Sequence, residues 1–214
     1  MPFARPSLLR FAPVVLLAPL AAALAACGDP LGARANLSTA TDTMVVYSLS
    51  DPDPARRDYP TALNTAATQS VVGGTVVVTP RVLSASGSGD FDVAFDVDGN
   101  GKVIVIPQRL VIPGSGGRAV GLLKSDVAFD ALTEAPRGAF VFDTAAVTIA
   151  VGETLVLQTQ TAQGCFNDSR GASPFLFSKL VVDSVPAATR AIHFRLTVNP
   201  NCGFRSFKSG IPGN

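Results

Sequence analysis

Tryptophan, tyrosine, histidine and cysteine are scarce in this 214-residue chain, which has no tryptophan, two tyrosines, one histidine and three cysteines beside 13 phenylalanines. Sugar-binding sandwiches usually stack sugar rings on aromatic side chains, so the lack of tryptophan disfavours a carbohydrate-binding surface. Zinc sites in proteins are built from clusters of histidine and cysteine. With His193 as the single histidine and no C-x-x-C motif, a zinc site is disfavoured too. We expect no cofactor.

An excess of charge of one sign is also lacking. The chain has 17 lysine and arginine residues against 16 aspartate and glutamate residues, a formal net charge of +1. Proteins that bind nucleic acids neutralise phosphates with basic patches. The balanced composition therefore predicts no nucleic-acid partner.

Long apolar runs are absent except near the N-terminus, where Phe11 to Leu24 follows the basic residues Arg5 and Arg10. This run is shorter than the ~20 residues that a membrane-spanning helix needs. A basic start, an apolar centre and small residues at the end are typical of a secretory signal peptide. We therefore assign residues 1–27 to a signal peptide and leave them out of the fold.

The end of this segment, Leu24, Ala25, Ala26 and Cys27, resembles the lipobox of bacterial lipoproteins. The resemblance implies that Cys27 is lipidated and becomes the mature N-terminus, with the membrane as a partner through stable acyl chains. It also implies the outer membrane of the cell envelope, because the next residue is Gly28 and not aspartate. The alternative is ordinary cleavage after an Ala-x-Ala signal that happens to contain a cysteine.

Lipidation of Cys27 would leave two cysteines, Cys165 and Cys202. In an oxidising envelope compartment these two are expected to form a disulfide. The loop that it closes would stabilise the fold by roughly 3–4 kcal/mol in the chain-entropy model. Two free thiols or a metal-binding pair are the alternatives.

The rest of the chain is typical of an all-β protein. Residues 28–43 are small and polar and predict a flexible tether, and residues 44–214 predict a single domain. Short β-branched or aromatic runs alternate with turn residues and predict about ten strands and little helix. The expected fold is a two-sheet β-sandwich of immunoglobulin-like or jelly-roll type, and it resembles uncharacterised β-rich bacterial lipoproteins in a general way. The predicted runs begin at Val45 and continue with Thr75 to Thr79, Phe91 to Val97, Val103 to Ile106 extended by Leu110 to Ile112, Ala119 to Leu123, Ala139 to Phe142, Val147 to Val151, Thr154 to Thr159, Leu176 to Val182 and Ala191 to Val198.

Two segments are weak candidates for helices. Thr61 to Gln69 follows a proline, and Ser125 to Leu132 offers a cap and a partial apolar stripe. Neither has the length or the period of a convincing helix.

The stretch FDVAFDVDGNGKVIVIP, residues 91–107, places Asp96, Asp98 and Asn100 at the first, third and fifth positions of a calcium-loop pattern. The pattern also needs a bidentate carboxylate at position twelve, where this chain has Pro107. The alternating apolar residues on both sides instead predict a hairpin with a turn at residues 98–101. A looser calcium site on Asp96, Asp98 and Asn100 is the weaker alternative.

Two further groups are candidates for acid–base chemistry. Asp92, Asp96 and Asp98 are neighbours on the polar face of the predicted strand and its turn, so they are expected to be exposed. His193 lies with Arg195 on the polar face of the last predicted strand.

No catalytic set is assembled from these residues by sequence. The expected function is therefore that of a lipid-anchored envelope protein that binds a protein partner or has a structural role. One alternative is an envelope hydrolase that uses carboxylates or His193. The other is a calcium-dependent, adhesion-type module.

Overall fold

The computed structural model describes residue 35 and residues 37–72, 75–85, 89–160 and 175–212, without the side chains of 66–72 and 75–78. The segment predicted to be a signal peptide, Cys27, Gly28 and Cys165 lie outside the described residues. Cys202 is described and is buried. The predicted pairing of Cys165 with Cys202 therefore stays a prediction, and so does the lipidation of Cys27.

The described residues form eleven strands in two antiparallel sheets, which confirms the predicted two-sheet β-sandwich. One sheet has the order β1-β11-β10-β9-β6-β7 and the other has the order β3-β2-β4-β5-β8. Helix in this part of the chain is limited to α1, Gln108–Val111, and a 3₁₀ turn, Pro54–Arg56. The strands are β1 Ala40–Tyr47, β2 Ala62–Val72, β3 Thr75–Leu83, β4 Val93–Val97, β5 Val103–Pro107, β6 Val120–Ser125, β7 Val141–Phe142, β8 Val147–Ile149, β9 Thr154–Gln160, β10 Phe175–Ser184 and β11 Ala191–Asn199.

The main core lies between the two sheets and is built from alternate residues of their strands. Side chains along a strand point to opposite faces in turn, so one side chain in two reaches the inter-sheet space. Phe95 of β4 and Phe194 of β11 are both fully buried, and their rings stack with centroids 5.3 Å apart. This aromatic pair joins strands that belong to different sheets.

Both sheets are also covered on the faces turned away from this core. On the six-stranded sheet, Val156 and Phe177 pack with Leu132 and Phe207, which come from a loop and from the C-terminal segment. On the five-stranded sheet, a smaller cluster includes Ala94 and receives Val111 and Ile112 from α1 and the residue after it. Residues on an outward-facing strand position are therefore not necessarily exposed.

The N-terminal boundary of the sandwich lies earlier than the sequence indicated. β1 begins at Ala40, so residues 40–43, assigned to the tether, belong to a strand. Leu37 is buried and Thr39 forms a bridge with Gly210. The sandwich therefore includes the chain from about Leu37 onward.

Three segments differ from their predicted local structure. Thr61 to Gln69, a weak helix candidate, lies mostly in β2, where pairing with β3 and β4 overrides a weak local preference. Leu110 to Ile112, predicted as a continuing strand, instead forms the end of α1 and the residue after it. The other helix candidate, Ser125 to Leu132, begins with the last residue of β6 and continues in bends and a turn, in which the N–H of Leu132 donates to the carbonyl of Ala128.

Candidate functional site

The β4–β5 hairpin contains the calcium-site candidates. Its strands pair from Val93↔Pro107 to Val97↔Val103, and the N–H of Asp98 donates to the carbonyl of Lys102 across the turn. Gly101 has φ 77°, a left-handed conformation that glycine adopts without steric cost. The predicted hairpin is confirmed.

Asp98 and Asn100 are used within this turn. One carboxylate oxygen of Asp98 accepts from the N–H of Asn100 at 2.8 Å and from the N–H of Lys102 at 2.9 Å. Such aspartate-to-backbone bonds stabilise turns. Asp98, the first residue of the turn, therefore stabilises the turn through its side chain.

Asp96 points into a different hydrogen-bond network, at the end of β1. Its Oδ1 accepts from the hydroxyl of Ser50 at 2.7 Å, from the N–H of Val97 at 2.8 Å and from the hydroxyl of Ser48. The N–H of Ser50 adds a longer bond of 3.2 Å. Asp96 and Asp98, expected to be neighbours, therefore serve separate networks.

Arg190 completes the network around Asp96. Its Nη2 donates to the carbonyl of Val97 at 2.6 Å and to the hydroxyls of Ser48 and Ser50 at 2.8 and 3.0 Å. The same nitrogen lies 3.5 Å from Oδ1 of Asp96. We call Ser48, Ser50, Asp96 and Arg190 the Asp96 corner. It links the two sheets, because the serines follow β1 and Arg190 precedes β11 in one sheet, whereas Asp96 belongs to β4 in the other.

The hydrogen bonds of the corner determine the acidity of Asp96. Burial raises the pKa of Asp96, but the bonds from Ser48, Ser50 and the Val97 N–H outweigh it, so the pKa lies below its ordinary value. A carboxylate with a lowered pKa stabilises the folded state above its unfolded pKa, and this contribution is lost as the pH falls.

Asp96→Asn is expected to lower the free energy of unfolding at neutral pH by about 1–2 kcal/mol, because the corner loses a charged acceptor. The deficit should shrink as the pH falls below about 4 towards 2, where the wild-type carboxylate becomes protonated. Urea unfolding at a series of pH values measures both effects. Asp42→Asn, at an exposed position of β1, is the matched control and should stay within about 0.5 kcal/mol of wild type. A deficit that does not depend on pH would contradict the assignment to Asp96.

Among the residues that the structure describes, no group of three or more histidine, cysteine, aspartate or glutamate side chains is placed to hold a metal ion. His193 lies in β11 opposite Val45 of β1 and Ser184 of β10, and it is half-buried. Arg195, two residues on, pairs with Asp183 at 3.1 Å and with Asp130 at 3.1 Å.

Asp92 is the residue that sequence reasoning placed wrongly. It was expected on an exposed polar face, but its side chain is fully buried. Asp92 directly precedes β4, and Phe91 packs with Ala94 and not with Val93 and Phe95. The period-two alternation of β4 therefore does not extend to residues 91 and 92. The nearest sequence signal is the arginine that follows the glycine-rich stretch at 114–117, because a buried carboxylate needs a cationic partner.

Asp92 is held by an ion pair and two short hydrogen bonds. Nη2 of Arg118 lies 2.8 Å from one carboxylate oxygen, and the N–H and hydroxyl of Thr65 each donate to the other at 2.6 Å. Arg118 also donates to the side-chain oxygen of Asn64 at 2.7 Å. Burial raises the pKa of Asp92, against the opposing effects of Arg118 and the Thr65 donors. The cluster links β2, the residue before β4 and the segment before β6.

Lys179 is a second buried charge and lies on the outward-facing side of β10, with 5% of its surface exposed. Its ammonium group donates to the carbonyls of Phe129 and Leu132 at 2.5 and 2.9 Å and lies 4.2 Å from the centre of the Phe129 ring. Burial lowers the pKa of Lys179. The lysine thus fastens the loop around Phe129 to β10.

A shallow cleft of about 330 Å³ lies between residues 124–128 and 152–154. The ion pair of Lys124 and Glu153, 2.6 Å between Nζ and Oε2, forms part of its lining. Oε2 of Glu153 also accepts from the N–H of Ala150 at 2.8 Å. Two of the three charged side chains that line the cleft, Lys124 and Glu153, therefore pair with each other, and Asp126 is the third.

Comparisons with protein-family models, with curated proteins and with solved structures find no match to this chain. In the part of the chain that the structure describes, there is no helix with the length and apolar character needed to cross a membrane.

Proposed function

We propose that this chain is a lipid-anchored protein of the bacterial cell envelope and that its β-sandwich is a binding or structural module. The observation that carries the proposal is the sequence from Phe11 to Cys27, an apolar run that ends in the lipobox-like Leu24, Ala25, Ala26 and Cys27. Acyl chains on Cys27 would hold the domain at a membrane surface.

The early start of the sandwich limits how far it would lie from that membrane. Because Leu37 is already packed in the domain, only residues 28–36 separate it from Cys27. Nine extended residues span at most about 30 Å. The domain would therefore stay close to the lipid surface, where a protein partner in the envelope could reach it.

The contacts of the candidate catalytic residues support a module rather than a hydrolase. Asp96 accepts hydrogen bonds that join two sheets, Asp98 stabilises a turn, and Asp92 is buried against Arg118. Each carboxylate that sequence reasoning considered for hydrolysis thus has an internal structural partner. Gly28 after the cysteine supports the outer membrane as the location.

Expression of the full chain in a bacterial host with a labelled fatty acid tests the anchor. The protein should carry the label and sediment with membranes, whereas Cys27→Ala should carry none, because acyl chains are attached to this thiol. Cys202→Ala is the matched control and should keep the label if it is expressed. An unlabelled wild-type protein, or labelled Cys27→Ala, would refute the proposal.

A further inference from the structure

The β2–β3 hairpin is only partly integrated into the five-stranded sheet. In the part of the chain that the structure describes, β2 pairs with β4 at Ala62 and Leu63 alone, while β2 and β3 pair from Thr68↔Thr79 to Val72↔Thr75. We call Thr68–Val72 and Thr75–Thr79 the hairpin arm. Among the described strands β3 is the end strand of its sheet, so no described strand pairs with the outer edge of β3.

Charged residues and prolines are absent from the arm itself, while a register shift between Asn64 and Thr68 lies before it and Pro80 and Arg81 follow it in β3. No lysine, arginine, aspartate or glutamate occurs from Thr61 to Pro80. Natural edge strands are commonly protected by charged side chains, prolines or bulges, because unpaired backbone groups attract another strand. A two-stranded hairpin is also only marginally stable by itself and gains from a further strand. The arm is therefore suited to strand addition.

The sequence of β3 in the arm indicates which strand is added. Thr75 to Thr79 reads TVVVT, which is the same in both directions about Val77. If two copies pair antiparallel about a two-fold axis at Val77, valine lies opposite valine and threonine opposite threonine at every position. Pairs of β-branched residues and pairs of threonines stabilise antiparallel sheets, and no like charges meet.

We infer that the hairpin arm is a self-association edge, at which β3 of one copy pairs antiparallel with β3 of a second copy about Val77. This contact is isologous, the commonest arrangement in homo-oligomers. The pairing ends after Thr79, because Pro80 has no N–H to donate and Arg81 would bring charge to the edge. Five residues form a small contact, so the dimer is expected to be weak and to depend on concentration.

Cysteine cross-linking of the purified full chain tests the register. Val77→Cys places the two new thiols directly opposite each other, within the range that a disulfide spans, so mild oxidation should give a covalent dimer. Val76→Cys should give at least several-fold less, because position 76 lies opposite position 78 of the partner. Val151→Cys, at a 52% exposed position away from the arm, controls for random collision. No cross-link at position 77, or equal cross-linking at all three, would overturn the inference.

Charged substitutions at Val77 test the proposed two-fold axis by a second method that does not depend on cysteine cross-linking. Val77→Lys and Val77→Asp should each lower the weight-average mass seen in sedimentation over a concentration series, since like charges then face each other. An equal mixture of the two variants should restore the dimer, because lysine then faces aspartate. Val151→Lys should leave the mass unchanged. A single-protomer mass for wild type at every concentration, or a mixture that stays monomeric, would contradict self-association at Val77.

Discussion

Asp92→Ala is expected to lower the free energy of unfolding by about 3–5 kcal/mol, because it removes one partner of a buried ion pair. The substitution leaves the guanidinium of Arg118, 14% exposed, without its nearest counter-charge. It also leaves the N–H and hydroxyl of Thr65, both buried, without their acceptor. Urea or thermal unfolding of the purified protein measures the loss.

The neighbouring carboxylate provides the matched control. Asp90 lies 3.8 Å from the same Arg118 nitrogen, but its side chain is 77% exposed. Asp90→Ala should therefore cost less than about 1 kcal/mol. Asp92→Ala combined with Arg118→Ala should cost less than the sum of the two single variants, since each single variant already breaks the same pair. Equal effects of Asp90→Ala and Asp92→Ala would show that burial does not decide the energetics here.

Phe194→Ala is expected to cost about 3–5 kcal/mol, because it opens a cavity between the two sheets. Phe194 is fully buried and stacks on Phe95 of the opposite sheet. Unfolding in denaturant measures the loss. Tyr59→Ala, an aromatic deletion at a 42% exposed position, should cost markedly less.

A variant that lacks both rings tests whether Phe95 and Phe194 stabilise the protein through their contact with each other. Phe95→Ala with Phe194→Ala should destabilise the protein by less than the sum of the single variants, because both remove the same ring contact. Strict additivity would indicate that the two rings are stabilised by different neighbours.

The sandwich was predictable because the strands show period-two alternation and are bounded by turn residues. Phe91 to Val97 and Val103 to Ile106 illustrate this, since alternation and an intervening turn predicted the β4–β5 hairpin that the structure contains. Pro107, which stands where the calcium pattern needs a carboxylate, pairs with Val93 at the end of β5. These features are local, and the sequence records them directly.

What covers the outer faces was not predictable, because it depends on segments distant in the chain. Lys179 occupies an outward-facing position of β10, where alternation predicts exposure. Asp92 was predicted to be exposed by the same alternation but lies just before β4, where the alternation no longer holds. In the structure, Lys179 is covered by the loop around Phe129 and Leu132 and lies 5.6 Å from the ring of Phe207. Nothing in the sequence of β10, or in the residues just before β4, distinguishes these buried charges from solvated ones.

Local sequence preference also did not predict the N-terminal boundary of the sandwich, because tertiary contacts determine where β1 begins. Residues 40–43 form a strand because β11 pairs with all eight residues of β1, from Ala40↔Val198 to Tyr47↔Ala191. Their composition alone is typical of a tether. The Asp96 corner was missed for the same reason, since Ser48, Asp96 and Arg190 are far apart in sequence.

Intact mass spectrometry of the protein purified from bacterial membranes tests the proposed anchoring most directly. We expect a chain that begins at Cys27 and carries the added mass of a diacylglyceryl group and an acyl chain. Digestion should place this added mass on the N-terminal peptide. A chain that begins at Cys27 or beyond without any added lipid mass would contradict the account.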